Sequence, residues 1–129
     1  MQIVWELDNL QALADYRLDV SGQPTVIDGP YGKAIEFDGV QDALFIGANP
    51  VAGWQALTVE VVFRPDAGGL PEQRFFHLGE VSGDRVLFET RLTEDDHWYL
   101  DTFISSGESN RPLLNDGHLH PVGQWYHLA

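Results

Sequence analysis

RFFHLGEVSGDRVLFETRLTEDDHWYLDTFI, residues 74–104, decides the fold. It divides at SGD (82–84) and at TEDD (93–96), both rich in turn formers. Three segments remain: RFFHLGE (74–80), RVLFETRL (85–92) and WYLDTFI (98–104). Apolar and polar residues alternate in each, the period of a strand with one buried face. Paired in one sheet, they place Phe76, Leu78, Val86, Phe88, Leu92, Trp98, Leu100 and Ile104 inward. His77, Glu89, Arg91, Tyr99, Asp101 and Phe103 then share the outward face. A single-residue bulge would invert part of that assignment.

The same period extends outward from this stretch. LTVEVVF (57–63) puts Leu57, Val59, Val61 and Phe63 on one side, and Pro65 ends it because proline donates no ladder hydrogen bond. KAIEFDG (33–39) reads as a strand running into a glycine turn, with DALFIG (42–47) as its return. WYHLA (125–129) reads as another strand, and MQIVWEL (1–7) as a less regular one. Only NLQALADY (9–16) has helical spacing, through Leu10, Leu13 and Ala14, enough for two turns at most. The expected fold is therefore all-β, an antiparallel β-sandwich or barrel over residues 1–129 as one domain.

Composition bounds the function. The 129 residues are 43 % hydrophobic and 12 % aromatic, enough for a packed core. There is no cysteine, so no disulfide framework. No apolar run approaches the 18 or so residues of a membrane span, and the N-terminus carries acids where a signal peptide carries lysines. The cytoplasm is the default compartment, with an extracellular one if a leader has been removed. The formal charge of −13 disfavours nucleic acid and anionic membranes as partners. It is compatible with neutral glycans, cationic ligands and Ca²⁺.

Three segments together resemble a known superfamily. YGKAIEFDGVQDALFI (31–46), LTVEVVFRPD (57–66) and GQWYHLA (123–129) stand in the order found in laminin-G-like, concanavalin A-like jelly-roll domains. The resemblance implies a jelly roll. In that family further strands follow the W-x-H-x-A segment, so the chain reads as lacking C-terminal strands. A longer polypeptide, or a homo-oligomer covering the open strand edges, would supply them. The resemblance also implies a polysaccharide or glycan partner on the concave sheet face, or a protein contact. The fold hosts lectins, glycanases, lyases and adhesive domains, so it fixes no activity.

The residues name candidates. His77, Glu89, Arg91, Tyr99 and Asp101 mix acid, base, guanidinium and phenol on one face, the groups that fork onto sugar hydroxyls and stack on pyranose rings. The competing role is cross-strand Glu–Arg pairing. A non-catalytic carbohydrate-binding or adhesive module is the leading expectation. A glycosidase would use Glu89 and Asp101 at about 5.5 Å or about 6.5–9.5 Å, although the E-x-D-x-x-E run typical of jelly-roll glucanases is missing. A lyase would use His77 or Tyr99 as base and Arg91 against a uronate. A third expectation is a structural interaction domain of a longer protein.

For metals, Asp38 and Asp42 flank the glycine turn of FDGVQD and suit Ca²⁺, the one cofactor expected, with turn capping as the alternative. HLH (118–120) and His127 fall within ten residues, but Gly117 and Pro121 mark a turn there, and solvent-facing or strand-capping roles are expected. Of the four tryptophans, Trp54 is the best candidate for an exposed sugar platform.

Overall fold

The structure, a computed structural model, describes residues 1–129. It is all-β. Twelve strands pair only antiparallel, and no helix is present, hence none long and apolar enough to cross a membrane. The chain divides into two units, Met1–Gly53 and Trp54–Ala129.

The first unit holds β1 (Ala12–Leu13), β2 (Tyr16–Ser21), β3 (Thr25–Gly29), β4 (Gly32–Glu36) and β5 (Ala43–Ile46). Residues 9–16, readable as a short helix or a loop, form a hairpin instead. Asn9 Oδ1 accepts from Gln11 N at 2.8 Å and Ala12 N at 3.0 Å, and Ala14 turns the chain with φ 51°. A side-chain cap and a left-handed residue outweigh helical spacing over so few residues. Leu13 and Leu18, 5 % and 6 % exposed, are its most buried apolar side chains. Residues 1–7 are not laddered, yet Ile3, Trp5 and Leu7 are half-buried while Gln2, Val4 and Glu6 are exposed, the period-two burial of a strand without a ladder.

Strand β5 does not return against β4, as the sequence suggests, but pairs with β2 (Leu18 opposite Ile46, Val20 opposite Leu44). Strand β4 pairs with β3 instead. Asp42 explains the choice. Its Oδ1 accepts from Gln23 N at 2.7 Å, just beyond β2, and its Oδ2 accepts from Asp38 N at 2.9 Å. This tether fixes the start of β5 beside the end of β2. It works only because Gly22, at φ 73°, has no side chain: a Cβ there would overlap the Asp42 carboxylate. Gly22→Ala is therefore expected to destabilise by about 1–3 kcal/mol, from left-handed strain plus the displaced hydrogen bond. Gly47→Ala, where a Cβ meets nothing within 4 Å, is the near-neutral control. Urea unfolding of the two variants measures both.

The second unit holds β6 (Val61–Phe63), β7 (Glu72–Gly79), β8 (Arg85–Leu92), β9 (His97–Ser106), β10 (Ser109–Leu114), β11 (His120–Pro121) and β12 (Tyr126–Leu128). One sheet runs β10-β9-β8-β7, with β11 also on β9. The hairpins follow local chemistry. At TEDD, Thr93 Oγ1 donates to Asp95 Oδ1 at 2.6 Å, Thr93 N donates to His97 O at 2.8 Å, and Asp96 takes φ 58°.

The second layer of this unit is the β6–β12 pair, Phe63 opposite Tyr126. It packs through rings onto the inward face: Phe63 lies 5.1 Å from Trp98 and 5.5 Å from Phe75, and Tyr126 lies 5.0 Å from Trp98. Unit 2 is thus a small two-layered sandwich with Trp98, 3 % exposed, at its centre. The strand expected over 57–63 is laddered only at 61–63, where Val61, Val62 and Phe63 pair with Leu128, His127 and Tyr126.

Strand β10 is an edge, with all six residues exposed. Asn115 N donates to Leu100 O at 3.0 Å. By alternation, Leu113 and Arg111 then also turn their N–H groups toward β9, and Pro112 falls in the outward register. The missing N–H is on the open side, where it blunts the edge without breaking the ladder.

Candidate functional site

Directly opposed residues of an antiparallel sheet share a face, so the register of β7–β10 maps the outward face as rows. One row is His77, Leu87, Phe103 and Pro112; the next is Arg74, Glu89, Asp101 and Leu114; the third is Glu72, Arg91 and Tyr99. His77, Glu89, Arg91, Tyr99 and Asp101 therefore all lie on this face. So do Glu72 and Arg74, which alternation alone assigns to the Phe76 side. The cause is a bulge: Arg74 opposes Glu89, but Phe76 opposes Phe88, and Phe75 is left over. The extra residue switches the parity of β7. It also sends Phe75 inward, 6.3 Å from Phe88, with the two rings stacked.

The charged residues close into a ring. Arg91 Nη1 meets Glu72 Oε1 at 2.7 Å, Arg91 Nη2 meets Glu89 Oε1 at 3.0 Å, and Arg91 Nε and Nη2 each meet Asp101 Oδ2 at 2.9 Å. Arg74 Nε reaches Glu89 Oε2 at 3.1 Å and Arg74 Nη2 reaches Glu72 Oε2 at 3.1 Å. Two guanidiniums thus hold three carboxylates. The ring is layered: the Glu89 and Asp101 side chains are 5 % and 8 % exposed, whereas that of Arg74 is 52 % exposed. Acids lie beneath, and guanidinium edges reach outward with Glu72.

Burial pushes the Glu89 carboxyl above its ordinary value, against the pull of Arg91 and Arg74 and with the help of Asp101 and Glu72. A raised folded value gives stability that is full below the unfolded pKa and fades as pH rises through the folded one. Glu89→Gln removes that loss. Its stability deficit relative to the native chain is expected to shrink as pH rises above the ordinary glutamate value of about 4.3, read by thermal unfolding at several pH values. A deficit that grows over that range would show the arginines dominating instead.

His77 and Tyr99 stand beside the ring, and their side chains make no hydrogen bond within the chain. Burial, then the charges of Arg74 and Arg85, holds the His77 imidazole below its ordinary value, so it presents a neutral ring with an acceptor. Tyr99 and Phe103 are half-buried, four residues apart on β9, about 13 Å at the strand rise. Pro112 and Leu114 on β10 are exposed beside them. The Arg85 guanidinium lies 5.2 Å from the Phe103 ring and donates to Val81 O. The face thus carries the charged ring over β7, β8 and Asp101 of β9, with Tyr99 and Phe103 of β9 to either side of Asp101 and Pro112 and Leu114 on the β10 edge.

The remaining candidates are placed elsewhere. Asp38 Oδ1 accepts from Val40 N, Gln41 N and Asp42 N at 2.9, 2.9 and 3.0 Å. Those bonds, that of Val40 foremost, hold its carboxyl below the usual range. Both acids of the Asp38/Asp42 pair cap backbone groups in unit 1, and no group of three or more His, Cys, Asp or Glu is arranged to hold a metal. The His120 ring lies tilted 4.9 Å from Trp98, His118 bonds Asn115 at 2.7 Å, and His127 faces Glu60 at 3.5 Å, so the three do not converge. Trp54 is half-buried, and Trp125 lies under Arg64 at 5.5 Å.

No protein-family model, curated protein or solved structure matches the chain. What the fold and site define is an all-β protein whose second unit is a small antiparallel sandwich with a mixed charged and aromatic outer face.

Proposed function

We propose that the chain is a non-catalytic carbohydrate-binding module of the laminin-G-like, concanavalin A-like jelly-roll kind, holding a glycan on the outward face of the β7–β10 sheet. One observation carries this reading: a ring of fixed polar groups shares one sheet face with the apolar side chains Tyr99, Phe103, Pro112 and Leu114. A pyranose is itself two-sided. Its C–H faces stack on rings, and its hydroxyls donate to carboxylates and accept from guanidiniums. The ring is held by its internal ion pairs, so little side-chain entropy remains to be lost on binding.

A cleaving role draws less support. Glu89 and Asp101 both bind Arg91 Nη2, which allows the separation of about 5–5.5 Å used by retaining glycosidases. Both acids, however, lie under the guanidiniums, where a glycosidic bond has no access.

The test is isothermal titration calorimetry of oligosaccharides against the native chain and Tyr99→Ala, with near-UV circular dichroism showing that the variant is folded. Binding that weakens about tenfold in Tyr99→Ala, the worth of one ring stack, supports the reading. Binding untouched by the substitution, or no binding across the panel, overturns it.

A further inference from the structure

We infer, on the glycan-binding reading above, that the ligand of this face is an uncharged saccharide, and that uronate or sulfated chains are excluded. The face carries cations, which would ordinarily suggest an anionic polysaccharide. Their partners say otherwise. Arg91 spends Nε, Nη1 and Nη2 on Glu72, Glu89 and Asp101, and Arg74 spends Nε and Nη2 on Glu89 and Glu72. Arg85 lies against Phe103. The three guanidiniums therefore stand against three carboxylates, and no net positive charge is left, in a chain of formal charge −13.

An incoming carboxylate could take Arg91, or the paired edge of Arg74, only by pulling it from Glu89, Asp101 or Glu72, and at the Arg74 edge left open it meets the like charges of Glu72 and Glu89. Glu89 and Asp101 are buried, and a buried carboxylate left without its partner is strongly unfavourable. A hydroxyl asks for no such exchange. It accepts from the guanidinium edge that Arg74 exposes, donates to the half-exposed Glu72 or to the neutral His77, and leaves every internal pair in place. Tyr99 and Phe103, to either side of Asp101 on the same face, supply the stacking surface a neutral sugar needs.

Calorimetry of the native chain tests this with three probes: uncharged gluco- or manno-oligosaccharides, oligogalacturonate, and heparin-derived oligosaccharides. The expected result is binding of a neutral probe that changes less than about twofold between roughly 0.05 and 0.5 M NaCl. The two anionic probes should bind at least about tenfold more weakly. Glu72→Gln, which removes the most accessible carboxylate of the ring, is expected to raise oligogalacturonate affinity about three- to tenfold. Tight binding of either anionic probe, falling steeply with salt, overturns the inference while leaving the glycan-binding reading standing. Silence with all three probes overturns that reading and the inference together.

Discussion

Arg91→Ala is expected to destabilise the chain by about 2–4 kcal/mol, a cost set by the two buried acids it abandons. The substitution leaves Glu89 with Arg74 alone, and Asp101, at 6 % exposure, with no cation. A surface pair of the same composition would contribute about 0–1 kcal/mol. The larger figure follows from desolvation and is held under the full buried-pair penalty because Arg91 is itself 30 % exposed. Arg91→Lys is the informative companion. Lysine keeps the charge but lacks the planar fork that reaches Glu72, Glu89 and Asp101 at once, so it is expected to recover only part of the loss. Urea unfolding of the native chain and the two variants decides the matter: full recovery by lysine would mean that charge alone, and not the fork, holds the ring.

Trp98→Ala carries an expected loss of about 3–5 kcal/mol, the usual range for emptying a buried aromatic site. Trp98 is where the two layers of unit 2 meet, with Phe63, Tyr126 and His120 rings between 4.9 and 5.1 Å away. Its removal opens a cavity lined by rings from β6, β11 and β12. Trp98→Phe should cost much less, because Trp98 Nε1 makes no hydrogen bond within the chain and only volume is lost. Equal losses for the two substitutions, in thermal or denaturant unfolding, would place the weight on a polar contact that the packing described here does not contain.

Much of this was legible in the sequence, and the reasons it stopped are physical. Alternation in residues 85–92 and 98–104 located Glu89, Arg91, Tyr99 and Asp101 on one face, because β8 and β9 pair without a bulge. The same rule failed for the first half of β7. Phe75 is one residue too many for the ladder, and no local pattern in QRFFHLG distinguishes a bulge from a regular strand. Arg74 was missed for that reason and Glu72 because β7 begins two residues before the strand read at 74–80, and with them went the closure of the ring. Pairing partners were the other blind spot. DALFIG returns to β2 rather than β4 because Asp42 bonds Gln23 across nineteen residues, a tether that period-two reading does not see. Helical spacing over 9–16 lost to Asn9 and Ala14, since so short a helix has little cooperativity to defend it.

The charged face of the β7–β10 sheet rests on the parity switch at Phe75, which alone brings Arg74 over Glu89. A double-mutant cycle combining Arg74→Ala with Glu89→Gln measures that contact directly through urea unfolding. The bulged register predicts a coupling of about 1 kcal/mol between the two side chains, within the range for residues in direct contact. A coupling indistinguishable from zero would put Arg74 on the Phe76 side of the sheet and contradict the arrangement.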